Sequence, residues 1–111
     1  MTAINRQLVE QCLGELSSRS EQLRLWKSTG APEVSSFGEA LEQLFTDSGL
    51  DDPLHAGDTG FGKECELRLI ELEKVLLSIN SHQSPDALID SPGMERVREL
   101  ATKALVALQT G

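Results

Sequence analysis

Apolar side chains, of which leucine is the most frequent, recur along this chain at intervals of three, four and seven residues. This spacing places them on one face of an α-helix, which completes a turn every 3.6 residues. No segment shows the alternation of apolar and polar residues that is typical of a half-buried strand. The sequence therefore predicts an all-α, single-domain helical bundle over residues 1–111. It should contain four main helices and a short helical turn near residues 85–89.

The first helix is predicted over residues 2–28, and Gly30 and Pro32 end it. Near its middle, Ser18 followed three residues later by Glu21 matches a capping box, so a break into two helices is an alternative there. The apolar face of this first helix consists of Ile4, Leu8, Cys12, Leu16, Leu23 and Trp26.

The second helix has a predicted start and a predicted stop. Ser36 and Glu39 form a capping box, and Gly49 suits the left-handed position that commonly follows a helix. Its apolar face consists of Phe37, Leu41, Leu44 and Phe45. Residues 50–62 are predicted to form a long acidic connection, which is uncommon inside a compact domain and often functional.

The third helix, residues 63–80, has two apolar stripes. Cys65, Leu69, Leu72, Leu76 and Ile79 make the main stripe, and a second one contains Ile70 and Leu77 with Leu67 further round. A helix with two stripes has two packing partners. The third helix is therefore either the central helix of the bundle or part of an oligomer interface.

Two Ser-Pro pairs then begin two further helices. Ser84-Pro85 and Ser91-Pro92 each place serine at the N-cap and proline at the first helical position. The first pair begins the short turn, which ends near Ile89. The second begins the last helix, which continues to about Gln109.

The two cysteines and the hydropathy indicate a cellular compartment. Cys12 and Cys65 lie on apolar helical faces, so buried reduced thiols are predicted, with a disulfide between them as the alternative. No apolar run approaches the ~20 residues that a membrane-spanning helix needs. The residues after Met1 lack the apolar stretch of a signal peptide. These features predict a cytoplasmic protein without a membrane partner.

One segment resembles a phosphate-binding loop. Residues 57–64 match the pattern G-x-x-x-x-G-K-[ST] except at the last position, where Glu64 replaces the hydroxyl that binds magnesium. The loop also requires a preceding buried strand, and the residues before Gly57 do not form one. The glycines are therefore predicted to be loop residues, and Lys63 is predicted to begin the third helix.

The side chains that could bind a metal or perform catalysis lack a supporting pattern. Counted from Asp51, the segment containing Asp52, His55 and Asp58 lacks the glycine and the glutamate that a calcium loop requires. No helix carries an H-E-x-x-H or E-x-x-H pair. His55 and His82 are predicted in surface loops, and neither has a neighbouring nucleophile by local pattern. We therefore expect no metal, no cofactor and no enzymatic activity.

The acidic residues are concentrated in one third of the chain. The net charge is −8, from 18 acidic and 10 basic residues, and residues 39–73 contain ten of the acids but only two of the bases. This charge argues against nucleic-acid binding, which needs a basic surface. It favours a basic protein partner. The predicted partner-binding residues are Glu39, Glu42, Asp47, Asp51, Asp52 and Asp58.

In its size, acidity and helix content the chain resembles the small acidic immunity proteins that bacteria make against their own toxins. The resemblance implies a tight, stoichiometric inhibitor of a basic partner, such as a toxin or another nucleic-acid-binding protein. In the colicin DNase immunity proteins, a pair of tyrosines beside acidic residues carries the binding. This chain has no tyrosine and departs from that particular family.

Two other classes of function are open at this point. The first is a self-associating structural or adaptor protein, in which the acidic surface only confers solubility. Its homodimer interface would contain Leu67, Ile70 and Leu77, joined by Leu25, which a helical wheel places away from the apolar face of the first helix. The second is a regulatory domain with a ligand pocket between helices, although no convergent polar residues occupy the core faces.

Overall fold

Every regular element of the described chain is helical. The computed structural model describes residues 4–26, 37–79 and 84–110. Within these ranges there is no strand, and the all-α prediction is confirmed. The elements are α1 (Arg6–Ser17), α2 (Arg19–Trp26), α3 (Phe37–Glu42) continued by a π-helical turn (Gln43–Asp47), α4 (Asp51–Ala56), α5 (Lys63–Ser78), α6 (Pro85–Ile89) and α7 (Pro92–Thr110).

The predicted first helix is broken into α1 and α2 at Ser18. This residue has extended backbone angles, and its hydroxyl accepts a hydrogen bond from the Glu21 N–H at 3.3 Å. The break restarts the helical phase, so a wheel drawn from the first residues does not apply to α2. As a result, Leu23 is exposed and Leu25 packs against the core, which is the reverse of the prediction.

The ends of several helices are confirmed at the predicted residues. Ser84 accepts from the Ala87 N–H at 3.3 Å, and Ser91 accepts from the Met94 N–H at 3.2 Å. Gly49 has a φ of 77°, as expected after a helix C-terminus. The predicted features at Ser36, Gly30, Pro32, Asn80 and His82 lie outside the described residues.

The prediction of an acidic loop over residues 50–62 is wrong for about half of the segment, because residues Asp51–Ala56 form α4. Its sequence carries the ordinary signals of a short helix. Asp51 and Asp52 lie in the first turn, where acidic side chains interact favourably with the free N–H groups, and Pro53 lies in the same turn. Gly57 ends the helix in the left-handed conformation, with a φ of 70°.

The central helix of the bundle is α7. It packs most extensively against α5 and also against α1, whereas α5 packs against α7 and the shorter α4. Of the two alternatives for α5, the central position in the bundle is therefore wrong. Ala101 and Ala104 are fully buried on α7, and such small side chains allow neighbouring helices to approach closely. The largest fully buried side chains are mostly leucine, as the composition predicts.

Gln22 and Trp26 make polar contacts between α2 and the rest of the bundle. Gln22 is fully buried, and its Nε2 donates to the carbonyl oxygens of Leu16 at 2.8 Å and Glu15 at 3.2 Å. Its Oε1 accepts from Arg98 of α7 at 2.8 Å. The indole Nε1 of Trp26 donates to the Glu15 carboxylate at 2.7 Å. The Trp26 ring meets Phe37 edge-on, with 5.9 Å between ring centroids.

Both cysteines are free and buried, so the prediction of reduced thiols is confirmed. Burial is the main cause that raises the pKa of each thiol to about 11. Across the ranges described above, no helix combines the length and the apolar character that crossing a membrane requires.

Candidate protein-interaction surface

A large open groove lies beside α4 and is named here the main groove. Its volume is about 760 Å³. Asp51, Asp52 and Asp58 contribute carboxylates to it, and none of the described residues that line it is Lys or Arg. Its apolar lining is supplied by Ile4, Phe45, Pro53, Ala56 and Phe61. The main groove is thus an apolar depression with negative charge around it.

A second groove of about 430 Å³, the side groove, adjoins the first. The two share Phe45, Thr46 and Asp51, so they form one continuous surface. Leu77 lines the side groove and is 77% exposed, the highest value among the large hydrophobic residues that the structure describes. Five carboxylates line one groove or the other and are named here the acidic face: Glu42, Asp51, Asp52, Asp58 and Glu73.

Three of the five carboxylates of the acidic face have no salt bridge within the described chain. Among the described residues, Glu42, Asp52 and Asp58 make no salt bridge. Several acidic residues elsewhere lie within 4 Å of an arginine or lysine, including Glu10, Glu21, Glu64, Asp90 and Glu99. The charge concentration seen in the sequence therefore includes three groove carboxylates without a salt bridge in the described chain, whereas Asp51 and Glu73 lie beside His55.

Hydrogen bonds from Asn5 place Ile4 at the main groove. The Asn5 N–H donates to the carbonyl oxygen of Ser48, just after the π-helical turn, at 2.8 Å. Its side-chain Oδ1 accepts from the Leu8 N–H at 3.1 Å and caps α1. The chain ahead of α1 is thus joined to the end of the π-helical turn, beside Gly49 in the groove lining.

The loop between α4 and α5 is held by Glu66. Its Oε2 accepts from the Thr59 hydroxyl at 2.7 Å and from the Thr59 N–H at 2.9 Å, and these bonds hold the pKa of Glu66 below its usual value. The Thr59 hydroxyl in turn accepts from the Phe61 N–H at 3.1 Å. This chain of bonds fixes Phe61 in the wall of the main groove.

His55 joins α4 to α5. Its Nε2 lies 2.8 Å from Glu73 Oε1, and its Nδ1 lies 3.4 Å from Asp51 Oδ1. The hydrogen bond and charge of Glu73, with smaller contributions from the charges of Asp51 and Asp52, raise the pKa of His55 above its usual value. His55 is exposed as predicted, but it lies in a helix and not in a loop.

These three side chains also offer a possible set of metal ligands. One ligand atom each from Asp51, His55 and Glu73 lies within 4.8 Å of the others. Both ring nitrogens of His55 face carboxylates, which is the arrangement of an ion-paired imidazolium. A metal ligand instead directs the lone pair of one nitrogen at the ion. We therefore assign the group as an ion pair.

The structure places four of the six predicted partner-binding residues in the groove lining and two outside it. Glu42, Asp51, Asp52 and Asp58 line the two grooves. Glu39 is exposed on α3 and lines neither of them. Asp47 is exposed on the α1 side of the π-helical turn, where its negative charge contributes to the raised pKa of Cys12.

Of the four residues predicted for self-association, two are partly buried and two are exposed. Leu25 and Ile70 are partly buried and pack against the core. Leu67 and Leu77 are 55% and 77% exposed. Ile70 lies on α5 between Glu66 and Glu73, whose contacts with Thr59 and His55 attach the α4 region to this face. The second packing partner of α5 is therefore α4 of the same chain.

The phosphate-loop pattern forms no such loop. Lys63 begins α5, as predicted. The residues before Gly57 form α4, which is neither the strand that a phosphate loop requires nor the predicted connection. The Thr59 N–H, which a bound phosphate would need, donates to Glu66 instead.

Sequence reasoning missed Glu73 and the apolar lining of the main groove. The signal that could have found them is the segment Asp51-Asp52-Pro53 followed by Gly57, which indicates α4. In a helix, Asp51 and His55 are four residues apart and lie on one face, as the structure shows. The assignment of Ile4 and Phe61 to one groove depends on tertiary packing, which local sequence does not encode.

Comparison of the chain with protein-family models, with curated proteins and with solved structures gives no match. Its function has to be inferred from its own geometry.

Proposed function

We propose that this chain is a non-enzymatic protein-interaction domain that binds a basic partner protein through the acidic face. One observation carries the proposal: two adjoining apolar grooves are surrounded by five carboxylates, and no described residue that lines them is basic. Negative charge of this kind steers a positive partner toward the surface and disfavours acidic competitors. The apolar lining would supply the desolvated contacts that dominate binding energy.

An inhibitor of the immunity or antitoxin type is the specific role that we propose. The target would be a toxin or another nucleic-acid-binding protein, because such proteins carry the basic surface that the acidic face complements. A cytoplasmic location is part of this proposal. It is supported by Cys12 and Cys65, whose free thiols suit a reducing compartment.

The proposal is tested with a pair of matched charge reversals. Asp52→Lys places a cation in the main groove, and Glu95→Lys makes the same change of charge on α7, outside both grooves. Both residues are acids in the first turn of a helix, so the loss of the favourable N-terminal interaction is similar. The tagged wild type and the two variants are used to capture partners from the source cells, and the retained proteins are identified by mass spectrometry.

We expect the wild type and Glu95→Lys to retain the same basic protein in a stoichiometric complex. Asp52→Lys should lose at least about tenfold in affinity for that protein, measured with the purified pair by calorimetry. Equal binding by Asp52→Lys and Glu95→Lys, or retention of an acidic protein only, would contradict the proposal.

Self-association is the second candidate function, and the exposed side chains of Leu67 and Leu77 favour it. Two copies that met through Leu77 would bring their Glu42 and Glu73 carboxylates together, since all three residues line the side groove. Like charges in such an interface are costly, so this alternative depends mainly on Leu67. Light scattering tests it directly: a wild-type dimer that becomes a monomer on Leu67→Glu would support it, and a monomeric wild type would eliminate it.

A further inference from the structure

We infer that the two grooves together bind one amphipathic helix of the partner, with apolar side chains on successive turns and arginine or lysine residues flanking them. This inference rests on the proposed function, because it specifies which part of a basic partner contacts the acidic face. It goes further by naming the shape and the residue pattern of that part.

The apolar anchors follow from the arrangement of the grooves. Phe45 lies at their junction and is 9% exposed, and apolar side chains lie on both sides of it. Ile4 and Phe61 line the main groove, while Leu41 and Leu77 line the side groove. Two adjoining depressions of this kind fit side chains that are three or four residues apart on one face of a helix.

The flanking cations follow from the unpaired carboxylates. Asp52 and Asp58 belong to the main groove and Glu42 to the side groove, and none of them makes a salt bridge within the described chain. A partner helix that placed its apolar anchors in the grooves would have these carboxylates close to its flanks. Arginine or lysine at those flanks would pair with them.

A helix also fits better than an extended segment. A bound strand obtains its affinity from the free edge of a sheet, and the described part of this chain contains no sheet. Side chains that enter grooves between helices do not need such an edge.

The test uses three synthetic peptides and the full-length chain. The first peptide carries leucines at i, i+4 and i+7 on one face and arginines on both flanks. The second has alanine in place of those leucines, and the third has glutamate in place of the arginines. Binding is measured by calorimetry, and the contacted residues are mapped from the amide chemical shifts of the labelled protein.

We expect only the first peptide to bind specifically, with shifts concentrated at residues of both grooves. The second should bind at least about tenfold more weakly, because it lacks the anchors. Raising the salt concentration from roughly 0.01 M to roughly 1 M should lower the affinity of the first peptide, because the Debye length shortens from about 30 Å to about 3 Å.

A matched pair of variants tests the location. Ala56 is exposed and lines the main groove, so Ala56→Arg fills the groove without removing a core side chain. Ala87→Arg makes the same change on α6, away from both grooves. Ala56→Arg should weaken the first peptide at least about tenfold, and Ala87→Arg should not change its affinity.

The outcomes separate the two ideas. Equal binding of the first and second peptides, or an unchanged affinity in Ala56→Arg, would overturn the helix inference while the acidic face still attracted cations. Absence of binding by the first peptide would also overturn it, whether or not the natural partner binds. The reversal Asp52→Lys tests the proposed function independently, because its readout is the natural partner.

Discussion

At the scale of single residues, Gln22 is a fully buried polar side chain with three hydrogen bonds. A helix leaves its last carbonyl groups without partners inside the helix. The Gln22 amide donates to two carbonyls near the end of α1, those of Glu15 and Leu16, and its own oxygen accepts from Arg98 of α7. One buried side chain thus connects three helices.

Gln22→Ala should lower the free energy of unfolding by roughly 2 kcal/mol or more, because it leaves buried carbonyl groups and an arginine N–H without this partner. Chemical denaturation measures the change. Gln7→Ala, at an exposed position of α1, is the control and should stay within about 0.5 kcal/mol of the wild type. A similar effect of both substitutions would show that the Gln22 contacts contribute little.

The two cysteines should be unreactive in the folded protein. A pKa of about 11 leaves Cys12 and Cys65 almost fully protonated at pH 8, and both are buried. We expect slow reaction with a thiol reagent in buffer and rapid reaction of two thiols in denaturant. Rapid modification of either cysteine under native conditions would contradict this burial.

Individual residues also show which sequence signals are reliable. Ser18, Ser84 and Ser91 were identified as helix caps because a cap acts on an N–H only a few residues away. The position of Leu25 was predicted wrongly because it depends on the direction in which α2 leaves the break at Ser18. That direction is set by packing against residues far away in the sequence.

At the scale of elements, α4 depends on few contacts. It has six residues, too few to be stable alone, and it is attached to α5 through His55 and the buried Leu54. The sequence predicts a loop at this position because a helix of six residues is too short to show a recognisable apolar periodicity. Its first-turn acids and its terminal glycine were the available local signals.

The contact between α4 and α5 should weaken as the pH rises. Because the pKa of His55 is raised in the folded state, its charged form stabilises the fold below the usual histidine pKa of about 6.5, and this contribution is lost as the pH rises through the raised value. NMR titration of the imidazole should give a pKa above that of a free histidine. Faster amide exchange in α4 should follow deprotonation, after correction for the intrinsic exchange rate.

Glu73→Gln is the control for this titration. It removes the main cause of the raised value, so the pKa of His55 should move toward that of a free histidine. An unchanged pKa in Glu73→Gln would show that another group is responsible.

At the scale of the whole molecule, only part of the surface charge is paired in salt bridges. Most exposed salt bridges join residues three or four apart on one helix, and such pairs contribute little to stability. On the acidic face, Asp51 and Glu73 pair with His55, but Glu42, Asp52 and Asp58 have no salt bridge within the described chain, and like charges repel one another. This repulsion should destabilise the isolated protein.

Salt should therefore raise the Tm of the isolated protein, by about a few degrees between low and physiological ionic strength. Calorimetry at several sodium chloride concentrations measures this effect. Asp58→Asn, which removes one of the unpaired charges, should show a weaker dependence on salt. A Tm that falls with added salt would indicate that the paired charges dominate.

The fold class and the region of the candidate surface could be predicted from sequence, because helical periodicity and charge content are local properties. The central position of α7 could not be predicted, since it depends on which helices meet across the core. The grooves could not be predicted for the same reason, because they too depend on how distant segments pack. They bring Ile4 beside residues of α4 that are about 50 positions later in the chain.

The contact between Trp26 and Phe37 determines how this protein can be observed. Trp26 is the only tryptophan and there is no tyrosine, so the near-ultraviolet fluorescence of the chain arises almost entirely from one indole. That indole is buried against Phe37 and lines neither groove. Its emission therefore reports the integrity of the core, and an occupant of the grooves that carries its own fluorophore can be followed separately in the same sample.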